Sequence, residues 1–480
     1  MKAPATSMIM ILSRNLIKEE RGRMHEDTAT KLLGLPGMRV VEVDDEADGG
    51  LTVYVVAADT ARTPCPVCGM LSRSSKETTP IPVRDVMFGD RLLTVVWLKR
   101  RLVCPSPACD RQTFVEVLPE VATRGRITNR LRRLLARAVA DQGRNVTEVA
   151  DTHHVSWHTA HRAFVEHVDP MLDREPAPVR VLGIDEIRRG KPRWTKDPET
   201  GQTIPLADRW HTGFTDLAGE QGILGHVEGR SKADVIAWLR DQPPAWLAGI
   251  QLVSTDLCAA FRAAVRVVLP HAALCADPFH VVQVANRTVT KVRQRLIREH
   301  YGRRTRKTDP EYGIKRLLLR NLEDLPDDQH DKLWNVLADH PHLTDLALTW
   351  IAKEDLRDIL ALRANRSGRL PTEAEVQERW DALQTWCQTN RHIPELVSLG
   401  QTLTKWRQEI FNAVLTGASN AGSEGANRIQ KLDLRAAFGY LNPANQQRRA
   451  RVATLRSNQR SRNVTPGRTQ TVAAAYPIPA

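Results

Sequence analysis

Long apolar runs are missing from this chain of 480 residues. No stretch approaches the roughly 18 apolar residues that a membrane-crossing helix needs. Met8-Ile9-Met10-Ile11-Leu12 is too short for the apolar core of a secretory signal. No membrane role is therefore expected, and the expected location is the cytoplasm, in association with the nucleoid. Cysteine is scarce, at seven residues, and without an export signal a disulfide framework is disfavoured. Acidic residues are also in short supply. Fifty-six Asp+Glu against 69 Lys+Arg leave a net charge of +13 and a pI near 9.6, which favours a polyanionic partner, nucleic acid first. What remains is ample for folding, since 41% of the residues are hydrophobic and the length suits about three or four domains.

Several apolar, β-branched runs end in a carboxylate. Val179-Arg180-Val181-Leu182-Gly183-Ile184-Asp185-Glu186 reads as a buried strand that delivers Asp185 to a sheet edge. Ile250 to Asp256 and Ala272 to Asp277 repeat the pattern. Far downstream, Ser419 to Lys431 looks like a capped helix able to bring Glu424 beside them. Mg²⁺ is a hard cation that takes oxygen ligands and keeps waters, so two aspartates and a glutamate suit two Mg²⁺ (or Mn²⁺) ions. Such a pair, about 3.5–4 Å apart, serves in-line displacement at phosphorus. The alternative for any single aspartate is a turn or helix cap.

Cys65-Pro66-Val67-Cys68-Gly69 is a knuckle whose spacing turns two thiolates toward one ion, and Cys104 and Cys109 supply a second pair. Four thiolates predict one closed, structural Zn²⁺ site. Cys258, Cys275 and Cys387 are isolated and read as core residues. Next, Thr128 to Gln142 is an amphipathic basic helix. Two short helices about a tight turn follow, Asn145 to Ala150 and Val155 to Val165, and read as a helix-turn-helix. Ser156 caps its recognition helix, and Trp157, His158, His161 and Arg162 are its candidate DNA contacts.

Pro170 to Pro178 reads as a linker. Beyond the Asp185 strand, Arg188 to Asp208 reads as a polar insertion, and its basic start, Arg188 to Trp194, is open to two readings: a DNA contact or a solvated loop. Trp210 to Asp216 and Gln221 to Glu228 form two strands about a turn. The order of three strands, a helix, a strand, a helix, a strand and a helix matches a ribonuclease-H-like sheet. Between Arg287 and Lys307 nine Lys/Arg meet one acid, Glu299, and from Arg428 to Arg462 nine meet one acid, Asp433. Both runs are expected to hold phosphates near the active centre. Glu424, Asn427, Arg428 and Lys431 fall at i, i+3, i+4 and i+7, one helix face, and Arg448, Arg449 and Arg451 are further candidate phosphate contacts.

The expected architecture is multidomain: a small zinc-binding β domain, a helical helix-turn-helix domain, and an α/β ribonuclease-H-like core with a large all-helical insertion. The expected boundaries are an extended or disordered start over 1–30, the zinc domain over 31–120, the helix-turn-helix over 121–170, the core over 179–309, the insertion over 310–416, the final core helix with its basic segment over 417–462, and a disordered tail over 463–480.

These residues resemble the DDE transposases of the ISL-three insertion-sequence family. The resemblance runs from about Leu32 to Arg456. It is carried by the cysteine knuckle with its later pair, Gly183-Ile184-Asp185-Glu186, Ala276-Asp277-Pro278-Phe279-His280 through Asn286, and Asn420 through Lys431 with Phe438-Gly439-Tyr440-Leu441-Asn442-Pro443. It implies an enzyme that cuts element ends and joins them to target DNA, with a catalytic triad at Asp185, Asp256 and Glu424. The implied partners are double-stranded DNA, as terminal inverted repeats and target, and further copies of the chain, as a homodimer or higher oligomer in a synaptic complex. A second reading, from another class, is a catalytically silent, transposase-derived DNA-binding regulator.

Overall fold

The computed structural model describes residues 28–464, apart from 59–62, 123–124, 189, 191–192, 208, 220 and 364–368. Nearly all of the expected extended start lies outside the described residues, as do 465–480 of the expected tail and Arg189, Lys191 and Pro192 of the basic insertion. The chain forms two compact units that divide between Asp169 and Pro170. No described helix is long and apolar enough to cross a membrane.

The first unit opens with α1 (Thr28–Leu33) and a sheet of β1 (Met38–Asp45), β2 (Leu51–Ala57), β3 (Ser75–Arg84), β4 (Leu93–Val103) and β5 (Thr113–Val115). The order is β1-β2-β4-β3, with β5 also on β4. Asp48-Gly49-Gly50 makes the β1–β2 turn: Gly49 takes φ 85° and Asp48 Oδ1 accepts from the Gly50 N–H at 2.9 Å. Alternation along the strands turns Val53, Val55, Val83, Val95 and Trp97 into one core. In α2 (Asn129–Ala140), Thr128 caps the first turn, and Leu131, Leu135 and Val139 are buried. The buried Asp85 carboxylate accepts from Thr128 Oγ1 at 2.5 Å and pairs with Arg130. α3 (Val146–Thr152) and α4 (Trp157–Leu172) complete this part.

Here the structure departs from the sequence expectation. The last helix runs two residues past Pro170 instead of ending before it. A proline in the last turn forfeits one backbone hydrogen bond, and burial of Leu172, at 7% exposure, favours keeping the helix. The linker therefore starts after Leu172.

In the second unit come β6 (Val181–Arg188), β7 (Arg193–Lys196), β8 (Thr203–Ala207), β9 (Trp210–Asp216), β10 (Ile223–Glu228), α5 (Lys232–Arg240), α6 (Pro244–Ala248), β11 (Leu252–Thr255), α7 (Ala259–Val268), β12 (Ala273–Ala276) and α8 (Pro278–Tyr301). The polar insertion is thus more than a loop. β7 and β8 pair as a hairpin about Asp197, whose carboxylate accepts from the Glu199 and Thr200 N–H groups. The main sheet has the order β10-β9-β6-β11-β12. β10, β9 and β6 are antiparallel neighbours, and β6, β11 and β12 are parallel.

Helices follow: α9 (Pro310–Ile314), α10 (Asp327–Asp339), α11 (Thr344–Ala361), α12 (Glu373–Thr389), α13 (Pro394–Lys405), α14 (Arg407–Thr416), α15 (Ala421–Ala436) and α16 (Pro443–Val464). One apolar core unites α8 with α10 to α14. Asn463 and Val464, expected in a disordered tail, end α16.

The basic runs are partly structural. Arg295 binds Glu395 at 2.8 Å, Asp345 at 3.3 Å and Glu299 at 3.2 Å. Arg303 binds Asp309. Arg449, expected to meet phosphate, is 5% exposed and paired with Asp433 at 2.5 Å, which ties α16 to α15. Arg451 is half-buried and donates to the Leu172 carbonyl at 2.8 Å, and Arg448 donates to Asn445 at 3.0 Å. For Arg449 the expectation is corrected: a guanidinium that has left water for a carboxylate is not a free phosphate ligand.

Removing one partner of a buried ion pair costs roughly 3–5 kcal/mol. Tyr440 Oη still donates to Asp433 at 2.6 Å, so Arg449→Ala should fall at the low end, about 3 kcal/mol by urea denaturation. Unchanged stability together with a weaker salt dependence of DNA binding would restore Arg449 as a phosphate contact.

Candidate active site

Side chains alternate along a strand, so Val181, Gly183 and Asp185 share one face of β6 while Leu182 and Ile184 share the other. The second face packs on α5, α6 and α7 through Leu182, Ile184, Val235, Trp246 and Phe261. The first face packs on α14 and the turn after it, where Val181, Leu252 and Cys275 meet Ala413 and Ala418. Registers place Ile184, Thr255 and Ala276 side by side on β6, β11 and β12. One residue further on, Asp185, Asp256 and Asp277 form a row of three carboxylates on the face that α15 covers. The ladder continues that far, since the Asp277 N–H donates to the Thr255 carbonyl at 2.8 Å.

α15 brings Glu424 to this row by a close approach to β6. A methyl group at Gly183 would run into Ser423 Oγ, with Asn420 Oδ1 and Leu217 Cδ1 each 3.0 Å from it. Asn427, one turn beyond Ser423, donates its amide to Asp185 Oδ2 at 2.7 Å, and the Glu186 N–H donates to Oδ1 at 2.8 Å. Asn420 donates its backbone N–H to Asp277 Oδ1 at 2.8 Å and its side-chain amide to the Ile184 carbonyl at 3.3 Å. Gln430 on the same helix contacts His226 Nε2 at 3.2 Å. Arg428 and Lys431 are exposed on α15.

His280, in the first turn of α8, stands between two of the aspartates. Its Nδ1 lies 2.9 Å from Asp256 Oδ1 and 3.1 Å from Asp277 Oδ2. Asp277 is 3% exposed, and its two oxygens are engaged by Asn420 and His280. Asp256 is the more open of the two. The sequence puts Asn427 on the Glu424 face and His280 and Asn420 in the segments that carry the resemblance, but assigns none of the three a role at the carboxylates. The spacing Asp277-Pro-Phe-His280, which puts the imidazole one turn past a strand-end carboxylate, was the available signal.

The carboxylates are close enough to oppose one another's ionisation. Burial and then the Asp256 charge push Asp185 up to about 7. Burial and the Asp277 charge raise Glu424. Against its own burial, the hydrogen bonds to Asp256 and Asp277 lift His280 to about 10. A cavity of about 400 Å³ flanks the cluster, lined by Asp277, Phe279, Glu424, Arg357 and Arg363 among others. A group of converging carboxylates that resist sharing negative charge suits a divalent cation with oxygen ligands.

In the first unit Cys65, Cys68, Cys104 and Cys109 converge, their sulfurs all within 4.8 Å of one another. Cys65 Sγ lies 3.9 Å from Cys109 Sγ, and Cys68 Sγ 3.5 Å from Cys104 Sγ. A disulfide needs about 2.05 Å, whereas a tetrahedron with Zn–S bonds of about 2.3 Å has edges of about 3.8 Å. The donor set fits zinc. The Cys68 and Val67 backbone N–H groups hold the Cys65 thiol down at about 6, toward the thiolate that binds metal. Cys275 and Cys387 are buried and Cys258 is partly exposed, none of them within this cluster.

At the start of α4, Ser156 Oγ accepts from the Thr159 N–H at 3.2 Å. Trp157, His158 and Arg162 are exposed. His161 is half-buried under Trp157, the rings stacked with centroids 4.5 Å apart. Arg162 lies 3.9 Å from Glu166.

Residues 182–450 match the DDE transposase family of the ISL3 type, described as "Transposase". Residues 116–168 match "Helix-turn-helix domain of transposase family ISL3". The chain is 25% identical over 416 residues to the transposase for insertion sequence element IS1001 of Bordetella parapertussis, covering 85% of this chain and 93% of that one. It is 27% identical over 315 residues to the transposase for IS1557 of Mycobacterium tuberculosis, covering 62% and 65%. Among solved structures, the "Drosophila P element transposase strand transfer complex" aligns with a TM-score of 0.35 at 11% identity, over 69% of this chain and 92% of that one.

The contact of α15 with β6 predicts opposite outcomes for two glycines. Gly183→Ala should overpack the interface and lower stability by about 1–3 kcal/mol. Gly425→Ala, on α15 with nothing within 4 Å of the added methyl, should raise stability by roughly 0.5–1 kcal/mol. Ser423→Gly should recover part of the Gly183→Ala loss. Equal effects at both glycines, read by urea denaturation, would mean that α15 does not depend on a bare backbone at position 183.

Proposed function

The chain belongs to the ISL3 family of transposases and acts in DNA transposition, and from that premise we propose that Asp185, Asp256 and Glu424 are its catalytic carboxylates. In this reading they hold two divalent ions, Mg²⁺ or Mn²⁺. The carrying observation is the row of carboxylates on three adjacent parallel strands, with the Glu424 helix lying across it. The sheet order, with three antiparallel strands beside two further parallel ones, supports a ribonuclease-H-like core. Two such ions, when bound, activate an attacking water or hydroxyl and stabilise the leaving oxygen at phosphorus.

The protein's own groups shape that site. Asn427 and the Glu186 N–H fix the Asp185 carboxylate, so that its oxygens face one way before any ligand arrives. His280 bridges Asp256 and Asp277 and keeps the second strand end from splaying. Asp277, buried with Asn420 on one oxygen and His280 on the other, is a positioning residue, and the more open Asp256 is the ligand. Arg428 and Lys431, on the face of α15 that carries Glu424, bind flanking phosphates.

The other modules divide the work. Cys65, Cys68, Cys104 and Cys109 hold one structural zinc ion in the domain over residues 31–120. The helix-turn-helix over 121–170 reads the terminal repeats with Trp157, His158 and Arg162, while His161 braces Trp157. The core over 179–309 and 417–462 carries the chemistry and encloses the helical insertion over 310–416. Cutting two ends and joining them to target DNA calls for more than one copy, so the synaptic complex is a homodimer or larger. The presence of all three carboxylates at one place favours the enzyme over a catalytically silent regulator.

Asp185→Asn, Asp256→Asn and Glu424→Gln should each abolish Mg²⁺-dependent end cleavage while gel shifts show end binding intact. Asp277→Asn should retain measurable cleavage. If Asp256→Asn cuts normally and Asp277→Asn does not, the second ligand is Asp277. In the same gel shifts His158→Ala or Arg162→Ala should narrow the preference for end over random DNA, by roughly 1–3 kcal/mol for each lost base contact.

The cysteine cluster makes its own prediction. Metal analysis should return one zinc per chain, and Cys65→Ser with Cys68→Ser should abolish it and unfold the first unit, because structural zinc supplies folding free energy directly. A well-folded, zinc-free double variant would refute the assignment.

A further inference from the structure

A second cavity of about 400 Å³ lies at the far end of α8 from the carboxylates. Its lining carries Arg293, Arg298, Arg303, Arg304 and Lys315, and no acidic residue. The acids nearby are already engaged. Asp309 takes Arg303 at 2.7 Å and the Arg306 N–H at 2.6 Å. Glu311, fully buried, takes Tyr301 Oη at 3.2 Å and His342 at 2.7 Å. Lys315 Nζ sits 3.8 Å over the Tyr312 ring, which fixes its direction. Arg293 is half-buried and anchored to Thr305 Oγ1 at 3.2 Å, and burial holds its guanidinium below the usual arginine range. Charge so concentrated, with one member already desolvated, is stabilised by an anion with several acceptor oxygens.

Helix geometry tells which anion. α8 starts at Pro278, directly after Asp277, and is continuous to Tyr301. At about 1.5 Å per residue, Arg298 lies about 32 Å from the Asp277 end of the helix. That is close to one turn of B-DNA, about 34–36 Å. A duplex whose cleaved phosphate lies at the carboxylate row presents the same face of its backbone again about one turn away. We propose that this pocket binds the DNA backbone about nine to ten base pairs from the cleaved phosphate, so that α8 acts as a ruler between the cut and a second anchoring point. The proposal rests on the reading of the carboxylate row as the cleavage site. It also places the end of the Arg287–Lys307 run away from that site, where the sequence alone had put the run beside it.

The test compares full-length wild-type protein with Arg298→Ala, Arg304→Ala, Lys315→Ala, a triple variant of partly or fully exposed residues outside the catalytic cluster. Ethylation interference is read on uncleaved end duplex in Ca²⁺. Wild-type complexes should show interfering phosphates about one helical turn from the mapped cleavage position, and the variant should lose those alone. Its salt slope should be shallower by about 2–3, at roughly 0.9 per phosphate released. An unchanged interference pattern and slope in a variant that melts like wild type would overturn the proposal. So would loss of interference only beside the cleaved phosphate. Inorganic pyrophosphate is the control for a small ligand: variant-sensitive pyrophosphate binding with unaltered DNA interference would make this a small-anion site and overturn the proposal too. Failure of the carboxylate reading would show separately, as cleavage by Asp185→Asn protein.

Discussion

The carboxylate centre depends on how near one helix can come to one strand. Gly183 gives β6 a bare backbone at the point where α15 crosses, and Ser423 and Asn420 occupy the space a side chain would have taken. That approach puts the Asn427 amide within 2.7 Å of Asp185. It also sets Asn420 between two strand ends, bonded to the Ile184 carbonyl and to Asp277. These bonds have fixed directions, so α15 can seat in one register only. Glu424, a turn before Asn427, is then carried to the carboxylates by a packing contact that has no charge in it. Burial first and the neighbouring carboxylates second push Asp185 and Glu424 upward, so part of that shift reflects repulsion between like charges gathered in this way. Close packing of glycine, serine and asparagine is what holds the charges in place until a cation offsets that repulsion.

The apolar runs that lead to the carboxylates were legible because burial on two faces leaves a nearly continuous apolar strand; Asp256 and Asp277 follow the last residues of β11 and β12, whereas β6 continues past Asp185 to Arg188 in its pairing with β9. The cysteine knuckle was legible for a similar reason, since its spacing is itself the geometry. What escaped was whatever depends on partners distant in sequence. Asn427 and Asp185 are 242 residues apart, and no local pattern pairs them. Gly183 was visible as a glycine inside a strand, a known sign of close approach, but the sequence does not say what approaches. The β7–β8 hairpin was hidden because its strands are short and its turn, Asp197 to Gly201, is polar enough to pass for plain loop. The helix running past Pro170 shows tertiary burial overriding a local breaker.

Charge was read less well than apolarity. An excess of +13 does point to a polyanion, yet individual cations in the same run have different fates. Arg295 sits among three carboxylates, Arg303 is spent on Asp309, and Arg449 is buried against Asp433. A linear sequence shows one acid among nine bases and suggests an unbalanced stretch. In three dimensions acids from α11 and α13 arrive to neutralise part of it. Arg298 and Arg304 at one end of α8 and Arg428 and Lys431 on α15 are exposed and remain the more informative members of the two runs.

The 167 residues between Asp256 and Glu424 are more than a spacer. The helical body they contain begins where α8 leaves Asp277 and returns through α14, which packs on β12 as well as on the helices of the body. Asn412 donates to the Leu274 carbonyl of β12 at 2.9 Å. Glu409, 1% exposed, receives Arg262 and Arg266 from α7 at 2.7 and 2.8 Å. Val414 and Ala276 belong to the same apolar core as the helices beyond. The body is thus anchored at both ends to the strand that bears Asp277, and the short connection from α14 to α15 starts from a fixed point. Ala418, fully buried against the sheet, and Asn420, bonded to two strands, leave that connection little freedom. A long excursion of chain between two carboxylates would ordinarily make their meeting entropically costly. Folding the excursion into its own core, with its exit riveted beside its entrance, turns a distant glutamate into one presented from a few residues away.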